Sequence, residues 1–256
     1  MQNAGSILDR LRRVIPQGVE PKFKSAAELM AWQREEGLKR AAEVDKLNQQ
    51  ARAEKIFGRS GIQNLHRSCS FANYTVNGDG QRHALSMAKS YAQNFGTGFA
   101  SFVFTGKPGT GKNHLSAAIG NYLLKQGRTV LIVTVPDLTL RARACYDEGR
   151  SEAALLDDLC KVDLLVLDEV GIQRDSRGEK VLLNQIIDRR LAAMRPVGVL
   201  TNLNYDALVE TLGERVVDRL RMDNGIWVNF DWESYRGNVS HLRPVKKILR
   251  RKLWNL

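Results

Sequence analysis

Hydrophobic positions change their spacing twice along this chain, and those changes mark its organisation. Ile7, Leu8, Leu11, Val14 and Ile15 recur at helical intervals, with Ser6 and Asp9 placed as a capping box. Pro16 stops that helix and Pro21 marks the connection after it. A second box, Ser25 with Glu28, opens a long polar segment running to about Phe57. Its apolar positions (Leu29, Met30, Trp32, Leu38, Val44, Leu47, Ile56) make a ragged stripe that Gly37 interrupts. A helix this polar buries little by itself, so it either packs on a partner or oligomer neighbour, or stands as a flexible arm. Residues 58–70 (GRSGIQNLHRSCS) lose all periodicity to Gly, Ser and Asn and read as a linker.

From Phe71 onward the pattern alternates between strands and helices. Apolar, β-rich runs fall at Ala100–Thr105, Thr129–Thr134, Val162–Leu167, Val197–Thr201 and Ile226–Phe230. Helical spacing fills Lys112–Lys125, Glu152–Leu159, Lys180–Ala193 and Tyr205–Leu212. Such alternation predicts an α/β fold, a five-stranded parallel sheet covered by helices on both faces. The expected domains are a helical region over 1–60, a linker over 61–70, a globular core over 71–240 and a tail over 241–256. No internal repeat or low-complexity segment is present.

Composition narrows the class. The chain has 256 residues, which fits one large core with an appendage. Hydrophobic residues make up 43% and four are Trp, which excludes a wholly disordered chain. No apolar run approaches the ~18 residues of a membrane span, and the N-terminus lacks an apolar secretion segment. Cys69, Cys145 and Cys160 are odd in number and unpaired by spacing. A reduced, cytoplasmic protein with no membrane partner is expected. His66, Cys69 and His83 supply too few well-spaced ligands for zinc.

Charge is concentrated at the ends. Residues 1–60 hold 12 basic and 8 acidic residues, 61–240 hold 21 and 20, and 241–256 hold six basic and no acidic ones. The core is balanced, so the excess suits either a polyanionic partner, nucleic acid foremost, or a solubilising end. In the tail, Val245, Ile248, Leu249 and Leu253 share one helical face, with most of the cations elsewhere. A DNA-binding extension, a partner helix and a frayed tail all fit. Six charges set on single-stranded phosphates would give a log–log salt slope of about −4.

The chemistry centres on Gly106-Lys107-Pro108-Gly109-Thr110-Gly111-Lys112-Asn113-His114, which follows a strand and opens a helix. That is the context a phosphate loop requires. Backbone N–H groups of the turn face phosphate oxygens and the helix N-terminus adds a favourable field. Lys112 supplies the positive charge that accompanies the phosphoryl group. Asn113 stands where Ser or Thr usually offers a hydroxyl to magnesium, and its amide oxygen is a hard donor for the same ion.

Val162–Glu169 (VDLLVLDE) is a buried strand ending in two carboxylates. Asp168 suits a magnesium site, and Glu169 is placed to orient or deprotonate the attacking water. Asn202 ends the next strand, where its amide can meet a γ-phosphate or water. Arg215 and Arg219 lie four apart on one helical face. They fit either a neighbouring subunit's γ-phosphate or surface pairs with Glu214 or Asp218. Arg236 could serve the same nucleotide in cis. Arg141, Arg143 and Tyr146 are the candidates for single-stranded DNA, cations beside an aromatic, although Tyr146 fits the core equally well.

Together GKPGTGKNHL, VDLLVLDEVG, EKVLLNQIIDRR, LTNLN, GERVVDRLR and IWVNFDWESYR resemble the DnaC family of replicative helicase loaders, within the AAA+ ATPases. The resemblance runs from the N-terminal helices to about Arg236, and the GKN variant of the loop is typical of that family. It implies Lys112 and Asp168 as Walker A and Walker B residues, Asn202 as sensor 1, Arg219 as arginine finger, Arg215 as its companion and Arg236 as sensor 2. It also implies ATP and Mg²⁺, a DnaB-type hexameric helicase gripped by the N-terminal region, and a homo-oligomeric spiral hexamer on single-stranded DNA. Residues 241–256 fall outside the resemblance. Two other functions share the core motifs: a transposition helper ATPase of the IstB kind, and a non-catalytic nucleotide-dependent adaptor.

Overall fold

A computed structural model describes residues 23, 25–57, 62, 66–147, 151–172 and 177–235. The expected helix over residues 7–15, Arg236 and the basic tail lie outside the described residues. The chain divides into two units between Asp45 and Lys46.

Helix α1, Ala26–Phe57, runs across that division. Ser25 caps it, its hydroxyl accepting the Glu28 N–H at 3.1 Å. Gly37 leaves the helix unbroken. Leu29, Met30, Leu38, Val44 and Leu47 are exposed, and Trp32 is partly covered by the Phe23 ring, 5.2 Å away between centroids.

The second unit is the expected three-layer sandwich. Its elements are α2 (Asp79–Gln93), β1 (Phe102–Gly106), α3 (Lys112–Lys125), β2 (Val130–Thr134), α4 (Val135–Asp147), α5 (Glu152–Lys161) and β3 (Leu164–Val170). There follow α6 (Arg177–Ala192), β4 (Val197–Thr201), α7 (Tyr205–Leu212), α8 (Glu214–Leu220), a 3₁₀ turn (Met222–Asn224) and β5 (Ile226–Phe230). The five strands pair in parallel in the order β2-β3-β4-β1-β5.

Alternate strand residues feed two separate cores, as a sheet buried on both faces demands. Phe102, Phe104, Leu164, Val166, Val228 and Phe230 pack under α2 and α3 with Ala84, Ala88, Leu115 and Ile119. Val103, Leu131, Leu165, Leu167, Val197 and Val199 pack on the other face against α4 to α8. Gly198 on β4 leaves room for the Phe102 ring; a Cβ there would lie 2.3 Å from it.

Two helices lack a strong signal in the sequence. In α2 the buried positions are Ala84, Ala88, Tyr91 and Ala92, so alanines carry most of the periodicity. Helix α4 follows β2 with no loop, Thr134 capping it by accepting the Asp137 N–H at 3.2 Å. The expected linker is fastened to α3 near both its ends. Ile62 and Cys69 are buried against Ala117, and Asn121 on α3 donates to the carbonyls of His66, Arg67 and Cys69.

Fully buried Arg190 braces the end of the sheet remote from the phosphate loop. Its guanidinium donates to the carbonyls of Leu159, Val162, Asp163 and Pro196, tying α5, the start of β3 and the α6–β4 turn together. Burial pulls its pKa down to about 10, which leaves it charged at neutral pH.

Candidate nucleotide site

The loop between β1 and α3 is shaped by backbone that only glycine tolerates. Gly106 has φ 118°, and a Cβ there would lie 2.2 Å from the Phe230 carbonyl oxygen. Gly111 caps α3 in the left-handed conformation. The Lys107 N–H donates to the Phe230 carbonyl at 2.9 Å, tying the loop to β5. Thr110, only 2% exposed, donates its hydroxyl to the Lys107 carbonyl at 2.8 Å. Lys112 is 6% exposed, and its ammonium donates to the carbonyls of Gly106 at 2.6 Å and Lys107 at 2.7 Å. The charge is therefore placed inside the loop. Pro108 is exposed at the loop's outer edge.

Strand β3 brings the carboxylates to this loop. It ends at Val170, one residue past the expected Glu169, so Asp168 and Glu169 lie within the strand. The Asn113 amide donates to Asp168 Oδ2 at 2.6 Å. Asp168 Oδ1 accepts the Glu169 N–H at 2.8 Å. Burial of the Asp168 carboxyl raises its pKa, partly opposed by those hydrogen bonds and by Lys112. The β3–β4 register slips between Leu167 and Val170, and Glu169 takes φ 62°, a costly conformation for a residue with a side chain. Its side chain is exposed beside the buried Asp168. Asn202 follows β4, whose Thr201 pairs with Val170, and it is likewise exposed at this edge.

These groups fit a magnesium nucleotide. With the Asn113 N–H₂ on Asp168, its amide oxygen remains as a neutral hard donor next to a carboxylate, the ligand type magnesium prefers. Lys112 and the N–H groups of the glycine turn supply the positive side of a phosphate site.

Three aromatics missed by motif reading hold the loop from outside. The Thr110 carbonyl accepts from Trp232 Nε1 at 2.9 Å and from the Tyr74 hydroxyl at 3.4 Å. The Tyr235 N–H donates to the Gly109 carbonyl at 2.9 Å. With the Gly109 and Thr110 carbonyls held outward, the N–H groups of the same trans peptides, those of Thr110 and Gly111, point the opposite way. Burial pushes the Tyr74 phenol up to about 12, so it stays protonated and able to donate. His114 turns away from the loop: its ring bonds to the Ser70 carbonyl at 3.1 Å and meets Tyr74 edge-on.

The remaining candidates sit elsewhere. Arg215 and Arg219 on α8 share a face as expected, but their acid is Asp188 on α6, not Glu214 or Asp218. Arg141 and Arg143 are both exposed on α4, yet they flank buried Ala142. Two residues apart, they leave the helix about 200° from one another. Tyr146 belongs to α4, but its side chain is outside the described residues.

A phosphate loop after β1, a carboxylate pair at the end of β3 and the order β2-β3-β4-β1-β5 define a P-loop ATP-binding domain of the AAA+ class. The chain belongs to the IstB-like ATP-binding protein family, whose model matches residues 23–241. It is 57% identical to the uncharacterized protein YdaV of Escherichia coli K12, over 92% of this chain and 95% of that protein. It is 48% identical to the replicative helicase loader DnaC of the same organism, over 94% of this chain and 98% of that protein. A crystal structure of the DnaC helicase loader shares the fold with a TM-score of 0.60 at 24% identity, covering 66% of this chain and 100% of that one. The replication initiator DnaA bound to AMPPCP and single-stranded DNA shares it with a TM-score of 0.57 at 23% identity, covering 67% and 51%.

Proposed function

We propose that this chain is an ATP-controlled loader. It binds a DnaB-type hexameric replicative helicase, opens the ring and delivers it onto single-stranded DNA, with ATP hydrolysis releasing the loader. The observation carrying this is the 48% identity to the E. coli loader over 98% of that protein's length, which spans the N-terminal region as well as the ATPase core. Residues 1–60 grip the helicase, and 71–240 form the ATPase.

Lys112 and the loop N–H groups bind the phosphates, while Asn113 and Asp168 hold Mg²⁺. Positive charge held there would offset the charge of the phosphates. Exposed Glu169 orients the attacking water and takes its proton. Asn202 steadies that water or the γ-phosphate from the neighbouring strand. Arg219, with Arg215, reaches the nucleotide of the next protomer in a spiral hexamer, and Arg236 acts on its own protomer's nucleotide. Arg141, Arg143 and Tyr146 contact single-stranded DNA.

A pull-down of the purified chain with its host's replicative helicase, with and without ATP, tests this. Recovery of the helicase that is lost when residues 1–60 are deleted supports the loader function. Recovery of a transposase and no helicase supports instead the transposition helper, the alternative favoured by the IstB-like family model.

A further inference from the structure

We propose that Asp188 is a positioning residue that fixes Arg215 and Arg219 for the neighbouring protomer's nucleotide. The inference rests on the arginine role proposed above and adds a residue to it. One carboxylate oxygen of Asp188 accepts from Arg219 Nη1 at 2.6 Å, and the other accepts from Arg215. The two arginines come from successive turns of α8, and Asp188 from a different helix, 27 and 31 residues away. A single acid therefore sets both guanidinium groups at once.

Both helices are anchored, so the fork has a rigid base. Val216, Val217 and Leu220 seat α8 in the core, and Ile186 and Ile187 seat α6. Two residues beyond Asp188, the carbonyl cage around Arg190 ties the same helix to β3 and β4.

The pairing leaves the arginines usable. Each guanidinium has five N–H donors, and Asp188 takes only part of each. Two cations on one anion keep a net positive charge for a phosphate. Arg215 is 76% exposed, against 29% for Arg219 and 24% for Asp188, so Arg215 forms the outward side of the fork and Arg219 its partly covered inner side. A free arginine samples many rotamers, whereas one tied to an anchored carboxylate starts near its working orientation.

Asp188→Asn keeps the shape and removes the charge. In the full chain with ATP, Mg²⁺ and single-stranded DNA, we expect unchanged ATP affinity and turnover lowered about tenfold to a hundredfold. Mixing it with Lys112→Ala protein, which lacks its own nucleotide site but carries an intact fork, should raise turnover above the sum of the two alone. A merely structural defect would not be repaired by a second protein. Normal turnover by Asp188→Asn, faster turnover, or no recovery on mixing overturns the proposal. Arg219→Ala, assayed beside it, separates the failures. If that variant hydrolyses ATP normally, the arginine role itself falls; if it is slow while Asp188→Asn is not, Asp188 alone is excluded. Should Asp188→Asn fail to fold, Asp188→Glu in the same mixture gives the same test, since it keeps the charge but shifts it outward.

Discussion

Thr110 shows how a single peptide unit can be set by side chains remote in sequence. Its carbonyl is held outward by Trp232 and Tyr74, which fixes the peptide whose N–H belongs to Gly111, inside the phosphate turn. Trp232→Phe keeps a ring but removes the donor, and one lost hydrogen bond of ordinary strength predicts ATP affinity about fivefold weaker. Titration calorimetry checks this; unchanged affinity would remove Trp232 from the site. Glu169→Gln should bind ATP normally and trap it unhydrolysed, read by filter retention of radiolabelled nucleotide. If hydrolysis continues at the original rate, Glu169 is not the base. At this scale Lys112, Asn113, Asp168 and Glu169 were legible because their spacing is a local chemical pattern. Tyr74, Trp232 and Asp188 were not, since each acts through a contact between elements that only the folded sheet brings together.

Among the elements, legibility followed the source of the periodicity. Strands built from Val, Leu and Ile declared themselves, and α3 and α7 span the expected Lys112–Lys125 and Tyr205–Leu212. Helix α2 was hidden because alanines face its core, and α4 because no loop separates it from β2. Arg190 was invisible for a different reason: an arginine reads as surface until the four carbonyls around it are seen. Arg190→Met would take its donors from all four carbonyls, of which Val162 keeps Arg195, and orphaning several costs at least about 3 kcal/mol. The midpoint of urea unfolding should fall accordingly, and a midpoint within error of the parent protein would show that the cage carries no stability. Gly37 in α1 gives the opposite sign. A Cβ there meets nothing within 4 Å, so Gly37→Ala should stabilise the helix by about 0.5–1 kcal/mol, seen as a higher melting transition by circular dichroism.

For the whole molecule, a charge-balanced ATPase core carries a polar helical arm at one end and a basic segment at the other. Leu38 and Val44 in the arm are exposed apolar positions, which suits the helicase grip proposed for residues 1–60. Everything the proposed loader does, however, is conditional on one event in the core. The nucleotide must be held between Lys112 and the Asp168–Glu169 end of β3. Titration calorimetry of ATP with Mg²⁺ into the full chain measures that event directly. The account predicts saturable heat at one nucleotide per chain, abolished by Lys112→Ala in protein whose circular dichroism shows an intact fold. No heat from the folded parent protein, or equal heat from both proteins, would contradict it.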